Sequence, residues 1–127
     1  MKCILIDTSA RRLSVSLKPT VSIYLLVDGK VVGTESWLGD KTLGTKLLSV
    51  VDELLKTNAL QLSDIDRVAV HGGPGHYSAL RTGITAATFL AMGADLDLVQ
   101  VSGSSEDELI KQALVNPVVK VITPKYE

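Results

Sequence analysis

"AVHGGPGHYSALRTGITAATFLAMG", residues 69–93, joins a short apolar run to a glycine-rich turn and then to a long stretch with one charge, Arg81. The run from 67 to 71 reads as a buried strand, punctuated by Gly72, Gly73, Pro74 and Gly75. From about 79 to 93 small and apolar residues recur at helical spacing. Leu80, Ile84, Ala87 and Ala91 form one stripe, suited to a sheet. Ala79, Gly83, Ala86, Leu90 and Gly93 form a second, and Phe89 and Met92 lie on a third side. A surface helix normally carries charge on its outer faces. Gly83 inside a helix costs about 1 kcal/mol relative to Ala. The pattern predicts close approach of another element to the second stripe, either from this chain or from a second molecule.

Outward from this stretch, "KCILID" (2–7) reads as a buried strand. Over 21–37 two β-rich runs flank Asp28-Gly29, a dipeptide favoured in tight hairpin turns. Leu43, Leu47, Val50, Val51 and Leu54 share one helical face, which predicts a helix over about 42–57. A strand is expected at 96–102. Ser105 and Glu108 make a capping box for a helix running to Val115, stopped by Asn116-Pro117. "VVKVI" (118–122) is a candidate last strand. Arg11, Arg12 and Pro19 mark 10–20 as an edge or mobile insertion. Leading antiparallel strands followed by alternating helices and strands predict an α/β fold: a mixed five-stranded sheet with helices packed on it, in one domain over 1–127.

The core must be aliphatic, since 46% of residues are hydrophobic but only 4% are aromatic. A net charge of −1, with signs intermixed, argues against the broad basic face that nucleic-acid phosphates need. The single cysteine, Cys3, makes no disulfide framework and reads as a buried thiol in a reducing cytoplasm. The N-terminus lacks a signal-peptide pattern, and the apolar helix near 84–94 is too short to span a bilayer.

Three segments together resemble the N-terminal lobe of the TsaB (YeaZ) family: "ILIDTS" (4–9), "LLSVVDELLKTNALQLSDIDRVAVHGGPG" (47–75) and "GPGHYSALRTGITAATFLAMG" (73–93). The resemblance implies a single actin-like, ribonuclease H-like lobe, with the family's second lobe absent. It also implies a non-catalytic scaffold or activator without a cofactor of its own. Such a subunit dimerises with a TsaD-like catalytic subunit in synthesis of tRNA threonylcarbamoyladenosine. A TsaE-like ATPase joins the larger complex, tRNA is met only indirectly, no membrane is involved, and the chain alone pairs with its own copy. The implied partner interface comprises Ala79, Gly83, Ala86, Phe89, Leu90, Met92 and Gly93, with Leu43 and Leu47. The chain departs from the family pattern at His76, Tyr77, Ser78 and Ala79, where Ser, Phe, Thr and Gly are usual, and carries about eight extra residues after "DTS".

Other chemistry is weaker. The loop 72–75 ahead of a helix resembles an anion cradle, with Asp7, Gly73, Gly75, Ser78 and Arg81 as its candidate anion or nucleotide contacts. It lacks the Lys-Ser/Thr that completes a phosphate loop. A sharp turn with Ser78 as N-cap is the simpler reading. Asp7 at a strand end suits a turn or capping role. Arg81 is expected to pin a carboxylate or carbonyl of a neighbouring loop, or to touch a partner. His71 and His76 are too few for zinc, which needs three or four protein ligands. Ser78 lacks a nucleophile elbow. The rival to the scaffold is a minimal nucleotide-binding or phosphotransfer protein using Asp7 and the Gly72–Gly75 loop.

Overall fold

The computed structural model describes residues 1–9, 20–38, 43–75 and 77–125. The element order is β1 (Lys2–Asp7), β2 (Thr20–Val27), β3 (Lys30–Leu38), α1 (Leu43–Thr57), β4 (Arg67–His71), α2 (Tyr77–Ala94), β5 (Asp97–Val101) and α3 (Glu106–Val115). The five strands form one sheet in the order β3-β2-β1-β4-β5. β1 pairs antiparallel with β2 and parallel with β4, and β4 pairs parallel with β5. This is the mixed five-stranded sheet the sequence predicts.

The hairpin turns where expected. Asp28 and Gly29 take φ values of 51° and 82°, the pair of left-handed conformations that suits the strand twist. Parity then sorts the side chains. Ile4, Ile6, Ile23, Leu25, Val68, Val70 and Leu98 point to one face, where α1 and α2 cover them. Cys3, Leu5, Leu26, Ala69, Val99 and Val101 point to the other, under Leu109 and Ala113 of α3. α1 buries Leu43, Leu47, Val50, Val51, Leu54 and Leu55, the stripe read from the sequence and one residue more. Ser105 caps α3, its hydroxyl accepting the Glu108 N–H at 3.2 Å. The Arg67 guanidinium on β4 reaches the other end of α3 and donates to the carbonyls of Ala113, Leu114 and Asn116.

One expectation changes. Residues 118–122 do not form a strand: the segment touches β5 by one antiparallel bridge, Val99 to Val118. Pro117 and Pro124 lack the N–H that a longer ladder would need. The proposed insertion at 10–20 lies outside the described residues except for Thr20, which starts β2.

Candidate functional site

β1 and β4 run parallel side by side, so the Asp7-Thr8-Ser9 segment and the glycine loop leave the sheet at the same edge. Asp7 closes a local turn: its Oδ1 accepts the Ser9 N–H at 2.9 Å and the Ser9 hydroxyl at 2.6 Å. Gly75 lies directly on this turn, and a Cβ there would stand 3.0 Å from the Ser9 Cα. The Gly72 N–H donates to the Val101 carbonyl at 2.9 Å, and the Gly73 N–H donates to His71 Nδ1 at 3.0 Å. An anion cradle works through free, convergent N–H groups; these two are already engaged within the fold. Ser78 is the second residue of α2, not the residue before it. Position 76, and with it His76, lies outside the described residues. Arg81 turns to its own helix instead of a neighbouring loop: its Nη1 donates to the Tyr77 hydroxyl at 3.3 Å.

His71 is 2% exposed. Because Nδ1 accepts the Gly73 N–H, the proton sits on Nε2, which donates to the Gly103 carbonyl at 2.8 Å. It is a backbone-satisfied histidine at a strand end. Among the described residues, no group of three or more His, Cys, Asp or Glu side chains could hold a metal ion. Burial pushes the Cys3 thiol up to about 12. Burial also raises the Tyr24 hydroxyl, and the Glu106 and Asp7 carboxylates add to that rise.

Of the two alternatives open for the second stripe of α2, the structure shows cover from this chain. Ala79, Gly83, Ala86 and Leu90 are buried inside the chain, Leu90 at 6% exposure, and so are Leu43 and Leu47 of α1. The reason is local. α1 and α2 pack on the same face of the sheet, and Ala79, Ala86 and Leu90 share one core with the α1 stripe. Gly83 admits the end of β1: a Cβ on it would stand 2.5 Å from Thr8 Oγ1 and 2.8 Å from Thr8 Cγ2. Of the residues read as interface, Phe89 (65% exposed), Met92 (80%) and Gly93 face outward.

Between the exposed edges of α1 and α2 runs an open groove of about 500 Å³, lined by Gly44, Leu48, Arg81, Thr82, Thr85, Ala86 and Phe89. Gly44 faces α2 here; a Cβ on it would lie 3.7 Å from Thr82 Cγ2, an ordinary van der Waals contact. Leu48, Thr82 and Thr85 escape sequence reasoning. Leu48 stands off the main α1 stripe, and threonines within a helix carry no interface signal of their own. Gly44 and Leu48, four apart, were the one available hint, since they share a helix side.

A parallel-centred mixed sheet with helices on both faces, and a glycine turn at the strand ends, places the chain in the actin-like, ribonuclease H-like class. Thermus thermophilus RuvC shares this fold, with a TM-score of 0.52 at 11% identity, covering 97% of this chain and 87% of that one. The chain belongs to the TsaD family, whose description is tRNA N6-adenosine threonylcarbamoyltransferase and which matches residues 40–119. The tRNA threonylcarbamoyladenosine biosynthesis protein TsaB of Haemophilus influenzae is 33% identical over 81 residues, 64% of this chain and 34% of that protein. YeaZ from Pseudomonas aeruginosa superposes with a TM-score of 0.66 at 25% identity, covering 80% of this chain and 43% of that one. The chain thus matches about a third of the Haemophilus protein's length.

Proposed function

We propose that the chain is a non-catalytic docking subunit in the cytoplasmic synthesis of threonylcarbamoyladenosine in tRNA. It presents the α1/α2 groove to a TsaD-like catalytic subunit, and a TsaE-like ATPase joins the larger complex. It meets tRNA only through that partner. Alone, it pairs with a second copy through the same face.

The observation that carries this reading is the groove itself. Phe89, an exposed large apolar side chain of α2, lines this concavity together with Leu48 and Ala86. Aromatic anchors beside a concavity supply most of the energy of protein association, and an exposed apolar patch of this kind marks an interaction surface. Family membership supports the choice of partner. The rival nucleotide-binding reading needs the glycine loop, whose Gly72 and Gly73 amides are engaged internally.

Co-expression with the TsaD-family enzyme of the same organism tests the assignment. The two chains are expected to elute together on size exclusion at near-equal ratio. Calorimetric titration of the isolated chain with ATP is expected to show no saturable heat. Micromolar ATP binding without co-elution would reverse the order of the two readings.

A further inference from the structure

Residues 118–125 run from the free edge of β5 to the glycine loop, and their attachments are few. The Val119 N–H donates to the Leu98 carbonyl at 2.8 Å, and the Lys125 N–H donates to the Gly72 carbonyl at 2.7 Å. Between them the Gln100 side chain imitates a strand neighbour. Its Nε2 donates to the Thr123 carbonyl at 2.9 Å, and its Oε1 accepts the Thr123 N–H at 2.9 Å. Ile122 is the segment's one fully buried side chain, while Val118 and Val121 are exposed.

The same contacts reach into the loop. A Cβ on Gly72 would overlap the Gln100 side-chain amide, so the amide lies flat against the loop backbone. Gly73 holds φ +102°, and a Cβ there would overlap the Lys125 carbonyl. The loop is therefore covered on one side by this segment and tied on the other by His71 to Gly103.

We infer that residues 118–125 are a strap that opens and closes as one unit with the Gly72–Gly75 loop, with the Gln100 amide as its clasp. A segment anchored by one buried side chain, Ile122, and one partly buried one, Val119, belongs to the low-stability end of a fold. Lifting it removes the Gly72 carbonyl's partner and the cover over Gly73 together, leaving the loop held by the Gly72 N–H on Val101 and from the His71 side. The loop feeds directly into α2, so the strap governs how firmly the start of that helix is held.

Native-state hydrogen exchange of the unaltered chain, followed amide by amide across low denaturant concentrations, tests the coupling. The amides of Thr123, Lys125 and Gly73 are expected to converge on one opening, reached before the amides of β1 and β4 exchange. A Gly73 amide that exchanges only with β4, while Thr123 and Lys125 exchange freely, overturns the proposal. A double-mutant cycle tests the clasp. Gln100→Ala and Gly72→Ala should each speed exchange of strap and loop roughly tenfold, the loss of two hydrogen bonds of ordinary net strength. Adding Gly72→Ala to Gln100→Ala should change little further, because the amide it displaces is already gone. Additive effects would contradict the clasp.

Discussion

Thr8 Oγ1 lies 2.5 Å from the place a Cβ on Gly83 would take. The glycine in the middle of α2 thus serves the strand end beneath it and not a second molecule. Thr8 is fully buried, and its hydroxyl has no hydrogen-bond partner among the described residues. Gly83→Ala should therefore destabilise the chain. Overpacking at such a site costs about 1–3 kcal/mol, against about 1 kcal/mol gained in helix propensity. Urea unfolding should show a net loss, and Thr8→Ala in the same chain should recover most of it. A stabilised Gly83→Ala protein would show that the contact is not tight.

His71→Ala should lower stability by about 2–4 kcal/mol, because it opens a cavity and leaves the buried Gly73 N–H and Gly103 carbonyl unpaired. Denaturant midpoints measure this. An unchanged midpoint would mean that the bonds across the loop are not maintained in solution.

Arg67→Met keeps the apolar stem of the side chain but removes the donor that holds three carbonyls at the end of α3. The expected loss is about 1–3 kcal/mol, with faster hydrogen exchange in the last turn of α3. Exchange unchanged in that turn would remove Arg67 from its capping role.

The Cys3 thiol, raised from 9.0 to about 12 by burial, sets an alkaline limit. Its folded value lies above its unfolded one. Its contribution is therefore complete below the unfolded value and is lost as pH rises from about 9 towards about 12. Stability should fall across that window, and Cys3→Ala should flatten the fall. Below it, a thiol-specific disulfide reagent should label the protein only after denaturant is added. Fast labelling of the native chain would contradict the burial.

The large elements were legible because their signals are local. Asp28-Gly29 marked the hairpin, the Leu43–Leu54 spacing marked α1, and Ser105 marked the start of α3. The faces of α2 were not legible to the same degree. A stripe of alanines and glycines looks alike whether it meets this chain or a partner, and here it is buried within the chain, with Gly83 against Thr8. Long-range side-chain pairings left no trace in sequence spacing: Gln100 with Thr123, His71 with Gly103, and Thr8 under Gly83 each join distant segments. The α1/α2 groove was half legible. Phe89 stood out as a large apolar residue on an otherwise unclaimed side, and Gly44 with Leu48 gave a faint hint, while Thr82 and Thr85 gave no sign.

The burial of Leu90 separates folding from association. Leu90→Asp places a carboxylate in the core and should lose its cooperative unfolding transition. Met92→Asp, at an exposed position, should unfold like the unaltered chain. Circular dichroism distinguishes the two, and a folded Leu90→Asp protein would contradict the packing of α2 on the sheet.

The docking claim is tested most directly by calorimetric titration of the TsaD-like partner with the unaltered chain, with Phe89→Asp and with a remote surface variant, Lys111→Glu on α3. All three should share one circular dichroism spectrum. Phe89→Asp is expected to weaken partner affinity by about 30-fold or more, the loss of a single hot-spot side chain, while Lys111→Glu leaves it unchanged. A folded Phe89→Asp protein that binds as tightly as the unaltered chain would contradict the account and move the interface away from the α1/α2 groove.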